Sequence, residues 1–326
     1  VTDWFHRHFG SHELECSVTP HSSQSLAGYL ERRNDSEMGR FSFLLQYSSM
    51  PELPEVTTIA NDINEKIAGK TIDSVRITSL GENLRIKSKQ DLDQLLTGKK
   101  IESAQRVAKY LILKLSNDDN LVIHLKLTGQ FILTDKNTPF DPFARLILNL
   151  DDGRQIRFND RNGAAEAFIV DDLEELKKSV GPDPFEIKAA DFSKNIQNSS
   201  KKTIKETIVD QKVIAGVGNI YADEALFLAK INPTRGTKTL NDEEVENLLA
   251  AIKQVLNEGI EHRGTTIDSY RDLLGKEGSH QNFLRVYGKR DQPCPNCGAK
   301  IEYMEISGRR TFYCPVGQPA EQMSLF

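Results

Sequence analysis

Long apolar runs are missing from this chain: no stretch of its 326 residues approaches the roughly 18 to 20 apolar side chains of a membrane-spanning helix. The first fifty residues also lack the basic start and apolar core of a secretory signal. A soluble, intracellular protein is the expectation. Cysteine is scarce, with Cys16 alone and Cys294, Cys297 and Cys314 clustered near the end, which excludes a disulfide framework and points to a metal instead. An excess of positive charge is absent too, since 42 Lys and Arg against 47 Asp and Glu leave a net charge of −5. Any nucleic-acid binding must therefore rest on local basic surface. At 326 residues and 38% apolar content, the chain has material for two globular domains.

What is present changes character abruptly at Met50. Residues 1–49 are rich in Ser, His, Arg and acidic residues and show no sustained periodicity, so they read as a disordered or untranslated extension. His6, His8, His12 and His21 are spaced too irregularly for a metal site, and solvated side chains are the expectation there. The stretch MPELPEV (50–56) looks like a chain start, because a small residue follows a methionine and removal of that methionine would free the Pro51 amine. From Pro54 a helix is predicted, with Val56, Ile59, Ala60, Ile63 and Ile67 on one face and Gly69 as its stop.

Strand patterns follow over 71–79, 106–115, 120–127, 143–150 and 154–158, separated by SNDD and NLDDG turns. They predict an antiparallel β-sandwich. After GPDPFE (181–186) the pattern turns helical: 201–211, 219–230 with Asn219 as N-cap, and 241–262 capped by Asn241. The end of the chain reads as a hairpin around SGRR (307–310), flanked by CPNC (294–297) and Cys314. The fold class is thus multidomain α+β. The expected domains are a sandwich over 50–178, a helical unit over 179–285, a zinc-ribbon-like hairpin over 286–318 and a tail over 319–326.

Three features carry chemistry. GVGN (216–219) before a helix could cradle a phosphate on backbone N–H groups, although a glycine turn before a helix is more often plain punctuation. Lys201, Lys202, Lys205, Lys289, Arg290, Arg309 and Arg310 could together supply the local basic face. A freed Pro51 amine would be a nucleophile toward an aldehyde or hemiacetal carbon, giving a cationic iminium that acts as an electron sink; Glu52 could move a proton to a sugar ring as it opens and Lys109 balance phosphate charge. The spacing of Cys294, Cys297 and Cys314 is that of a zinc ribbon with Gly317 at the fourth ligand position.

Taken in order, MPELPEV (50–56), AKYL (108–111), HLKLTG (124–129), GPDP (181–184), IKETIVDQ (204–211), GVGNIYADEALF (216–227), RGTT (263–266), VYGKR (286–290) and CPNCG with RRTFYCP (309–315) make the chain resemble the formamidopyrimidine-DNA glycosylases, over residues 50 to about 318. PELPE favours that branch over the PEGPE of endonuclease VIII. The resemblance implies a monomeric repair enzyme of the bacterial cytoplasm and nucleoid that acts on oxidised purines in damaged double-stranded DNA. It implies base flipping, attack by Pro51, and β- and δ-elimination. By the same resemblance the sandwich would be the catalytic domain and the helical unit the DNA-binding one. Pro51, Glu52, Lys109 and Arg309 would be catalytic. Glu55, His124, Leu127, Arg161, Lys201, Lys205, Asn219, Tyr287 and Arg310 would face DNA, and Cys294, Cys297 and Cys314 would hold one zinc ion.

The chain also departs from the family pattern. Leu127 stands where the family's wedge methionine is usual, NDRNGAAEAF (159–168) replaces D-x-R-x-F-G so that no wedge aromatic is visible, and Phe143 stands near the place of a DNA-contacting histidine. Two other readings stay open on sequence: a catalytically silent DNA-binding paralogue, and an endonuclease VIII-like enzyme for oxidised pyrimidines.

Overall fold

The computed structural model describes residues 50–83 and 89–320. The expectations for residues 1–49, including the four histidines and Cys16, lie outside the described residues.

Helix α1 (Leu53–Lys66) begins one residue before Pro54. Its start is fixed by Glu55, whose carboxylate accepts the Glu52 N–H at 2.8 Å, and by a proline in the first turn that needs no donor partner. Eight strands follow: β1 (Ile72–Ile77), β2 (Ile101–Val107), β3 (Tyr110–Leu115), β4 (Asn120–His124), β5 (Gly129–Asp135), β6 (Ala144–Leu150), β7 (Arg154–Asp160) and β8 (Glu166–Val170). They form two antiparallel sheets, ordered β1-β6-β7-β5 and β2-β3-β4-β8. Helix α2 (Lys89–Leu96) lies between β1 and β2 in sequence. Inward-facing Leu111, Leu113, Leu121, Ile123, Phe131, Leu146, Leu148 and Phe158 fill the space between the sheets, as alternation on two facing sheets requires.

The predicted sandwich is therefore correct, with differences in detail. The stretch 106–115 is a hairpin rather than one strand: Val107 pairs with Tyr110, and Ala108 turns at φ 52°, so Lys109 sits at a two-residue tip. No Gly, Asn or Asp marks that turn, which is why pattern reading passed over it. The stretch 120–127 ends at His124, and β5 and β8 are additional to the expected strands.

The helical part comprises α3 (Glu174–Ser179), α4 (Ala189–Gln197), α5 (Ile204–Ile208), α6 (Asn219–Leu228) and α7 (Asp242–Glu261). The span 201–211 shrinks to α5, which starts at a Thr203–Glu206 capping box. Asn241 caps α7 as predicted, accepting the Glu244 N–H at 2.9 Å. Asn219 is the first helical residue of α6, and Gly218 is its cap. Strands β9 (Glu302–Ile306) and β10 (Arg309–Tyr313) form the terminal hairpin. Leu53 packs into the helical core, which also takes Ile301, Phe312, Cys294 and Cys314 of the hairpin, while Val56, Ile59 and Ile63 pack into the sandwich core. Helix α1 therefore bridges the two cores, and Pro51 and Glu52 precede it at their junction.

Candidate active site

Glu52 is buried, and its carboxylate accepts the N–H groups of Gly218 at 2.6 Å and Ile220 at 2.9 Å. The glycine turn and the α6 N-terminus are thus an anion site, but the anion is Glu52 of the same chain. The expected phosphate cradle at GVGN is corrected accordingly: the Gly218 N–H serves Glu52 and the Gly216 N–H serves Gln211 Oε1 at 2.9 Å. Lys109 reaches the same spot from the β2–β3 tip. A Cβ on Gly218 would stand 2.5 Å from Lys109 Nζ and 2.3 Å from Glu52 Cδ, so only glycine lets the two groups converge there.

Burial dominates the electrostatics of the pair. It raises the Glu52 pKa against the opposing pull of Lys109 and the two N–H donors, and it lowers the Lys109 pKa despite the attraction of Glu52. Both shifts favour neutral forms, a state from which Glu52 can give a proton. The tip that carries Lys109 is pinned by Arg106, whose guanidinium bonds Ala108 O at 3.2 Å and Asp183 at 2.5 Å. Pro51 is buried and adjoins Glu52 in the chain.

Behind this pair lies a polar layer. Glu55 is buried and accepts from the Glu52 N–H, the Tyr221 hydroxyl at 2.8 Å and the Thr265 N–H at 2.6 Å. Burial first and the Glu52 charge second raise its pKa to about 7. Glu55, expected among the DNA-facing residues, is buried and holds the α1 start in place. Lys205 is likewise buried, bonding Asp223 at 2.6 Å and Asn219 O at 2.9 Å, because a cation this deep needs a paired carboxylate. It is not part of a basic surface. Asp223 also accepts the Phe312 N–H at 2.9 Å, and Asn219 Nδ2 donates to Arg310 O at 2.8 Å, so these two residues fasten the hairpin to α6.

His124 and Tyr287, also expected to face DNA, are buried as well. His124 packs edge-on to Tyr110, its Nδ1 accepts the Lys126 N–H, and burial holds its pKa well below the usual histidine range. Tyr287 packs edge-on to Phe312. By contrast, Leu127, Arg161, Lys201 and Arg309 are exposed, and Arg310 is partly so; Lys201 lies 3.7 Å from Asp210. Arg309 is close enough to Lys109 for its charge to contribute to the lysine's lowered pKa.

Phe143, noted in sequence only as standing near a histidine's place, has a role that sequence reading missed. Phe143 is 40% exposed, and Arg161 lies over its ring at 5.7 Å. The turn that carries Arg161 is held by Asp160, which accepts from Thr128 Oγ1, Asn162 N and Ala165 N, and Asp160 N bonds Phe143 O. A cavity of about 450 Å³ opens beside them, lined by Thr128, Gln130, Phe143, Asn159, Arg161 and Ser269. Exposure of a phenylalanine beside an arginine is a tertiary property, and no signal local to residue 143 could have shown it.

The cysteines do come together. The Sγ atoms of Cys294, Cys297 and Cys314 lie within 4.8 Å of one another, the last two 3.4 Å apart. Thiolates bound tetrahedrally at about 2.3 Å from zinc stand roughly 3.8 Å apart, so the three residues fit such an ion.

A sandwich and a helical unit that meet on a proline–glutamate start, with a cysteine hairpin alongside, define the DNA glycosylases of the helix-two-turns-helix class. Comparison with known proteins agrees. The family described as "Formamidopyrimidine-DNA glycosylase N-terminal domain" matches residues 50–166, and "Formamidopyrimidine-DNA glycosylase H2TH domain" matches residues 180–271. Formamidopyrimidine-DNA glycosylase of Herpetosiphon aurantiacus is 38% identical over 273 residues, covering 82% of this chain and 100% of the relative. That of Rickettsia peacockii is 38% identical, covering 82% and 99%. Lactococcus lactis Fpg in complex with DNA containing an abasic site superposes with a TM-score of 0.77 at 33% identity, covering 82% of this chain and 99% of that one. The chain belongs to the formamidopyrimidine-DNA glycosylase family, enzymes of base excision repair. Among the described residues, no helix is long and apolar enough to cross a membrane.

Proposed function

We propose that this enzyme is a bifunctional glycosylase and abasic-site lyase that removes oxidised purines, 8-oxoguanine and formamidopyrimidines, from double-stranded DNA in the bacterial cytoplasm. The observation that carries the reading is the convergence of Glu52 and Lys109 on Gly218, next to Pro51.

In this reading the working chain begins at Pro51, and the domains divide at about residues 178 and 285. The free Pro51 nitrogen attacks C1′ of the flipped nucleotide, the C1′–base bond breaks, and the base leaves with a proton. Glu52, its pKa raised by burial, gives its proton to the ring oxygen as the sugar opens to the iminium. Loss of a C2′ proton then expels the 3′ phosphate, and a second elimination expels the 5′ phosphate. Arg309 grips a flanking phosphate, and Lys109 assists the elimination beside it. Leu127, Arg161 and Phe143 form the exposed edge that enters the duplex where the nucleotide leaves, so Phe143 supplies the aromatic that the loop after Arg161 (NGAA, 162–165) lacks. Zinc held by Cys294, Cys297 and Cys314 would stiffen the hairpin that carries Arg309 and Arg310.

The test is a panel of single lesions in duplex and single-stranded DNA, scored for base release and strand nicking. Release and nicking of 8-oxoguanine and formamidopyrimidine duplexes is the expected result. A preference for oxidised pyrimidines or single strands would favour the endonuclease VIII-like reading, and binding without release the silent paralogue.

A further inference from the structure

The cysteine hairpin is one donor short of a closed metal site. Spacing assigns the fourth position to residue 317, and the fold puts it there in space: a Cβ on Gly317 would stand 3.4 Å from Cys314 Sγ. The Gly317 N–H also donates to that sulfur at 3.2 Å, which can stabilise its negative charge but cannot coordinate a cation. Among the described residues, no further His, Cys, Asp or Glu joins the three thiols. Gln318 is committed elsewhere, since its Oε1 accepts the Cys314 N–H at 2.9 Å and its Nε2 donates to Ile231 O at 2.8 Å.

Nor is the vacant corner walled off. Cys297 is exposed, Gly317 is half-buried, and Val316 is 65% exposed. The opposite side of the cluster is secured without a metal: Cys294, Cys314, Ile301 and Phe312 pack into the helical core, and Asp223 and Asn219 bond the hairpin backbone. The hairpin can therefore keep its place with an incompletely enclosed ion.

We propose that the three thiolates hold one zinc ion whose fourth position, left without a side chain at Gly317, is filled by an exchangeable water molecule. Zinc with three protein ligands ordinarily keeps a water in its fourth position, so this site has the coordination of a ligand-accepting centre rather than of a closed structural one. A small free thiol is softer than water and would displace it: a metal–sulfur bond forms, water leaves, and the thiol proton passes to solvent.

Cobalt(II) loaded in place of zinc reports the ligand set directly, in the full chain and without reference to activity. The expected result is one bound cobalt per chain with a three-sulfur spectrum. Added β-mercaptoethanol should then raise the thiolate-to-cobalt charge-transfer absorption by about a third, as three sulfurs become four. Gly317→Cys should show the four-sulfur spectrum from the outset and not respond to thiol. Glu321→Gln should leave the wild-type spectrum unchanged. Failure to bind cobalt, a wild-type spectrum indifferent to thiol, or a change in Glu321→Gln would each overturn the proposal.

Discussion

The Glu52 carboxylate accepts a 2.6 Å hydrogen bond from the backbone N–H of Gly218, 166 residues further along the chain. That bond ties the start of the sandwich domain to the first turn of α6, and Lys109 joins it from the β2–β3 tip. Position 218 is thus where the Glu52 carboxyl and the Lys109 amine, brought from different parts of the fold, come together in a buried pair, and its lack of a side chain is what makes room for them.

Gly218→Ala should therefore displace the pair. The added methyl would overlap Glu52 Cδ and Lys109 Nζ, while the backbone at 218, with φ −128°, is open to any residue. Misplacement of this order is expected to cost about 10²-fold or more in single-turnover base release, with affinity for an abasic-analogue duplex held within about tenfold. Wild-type release rates would remove Gly218 from the site.

The Glu55 carboxyl makes a prediction about pH. Its ordinary value is 4.5, and in the fold it is raised to about 7, by burial first and by the Glu52 charge second. Between those values the folded protein keeps a proton that the unfolded chain has lost, so stability from this group is full below about pH 4.5 and is lost as pH rises through 7. Glu55→Gln cannot titrate, and although it is less stable at low pH because one donor faces an amide, its melting temperature should fall less across that window. Parallel curves for the two proteins would contradict the assignment.

Phe143 makes a third. If it enters the duplex beside Arg161, Phe143→Ala should weaken binding to lesion-containing duplex by about 1 to 3 kcal/mol, the worth of an aromatic against a base, while sparing cleavage of a single-stranded abasic substrate. Equal losses on both substrates would place the residue in general folding instead.

Much of this architecture was legible in sequence where the signal was local. The sandwich followed from alternation, α7 from an Asn241 cap and apolar spacing, and the cysteine hairpin from its spacing. The start at PELPE was read from Met50 and its neighbour and strengthened by resemblance, whereas the meeting of Glu52 with Lys109 at Gly218 was not legible, because nothing local says that residues 52, 109 and 218 converge. Lys205 and Glu55 look like surface charges in a sequence and are buried in the fold, each paid for by partners at remote positions. The Ala108 turn was hidden because it uses a left-handed backbone at an alanine. Phe143 and Arg161 are eighteen residues apart on neighbouring strands' ends, as the registers of β6 and β7 set them, and only pairing brings them together.

The most direct test of the central claim is borohydride trapping on duplex DNA containing 8-oxoguanine, with a chain beginning at Pro51 and the 1–326 chain side by side. A covalent adduct with the chain that begins at Pro51, lost when that nitrogen is blocked by acetylation, is the predicted result, because the iminium forms on that nitrogen. Intact DNA binding with no adduct from either chain would contradict it.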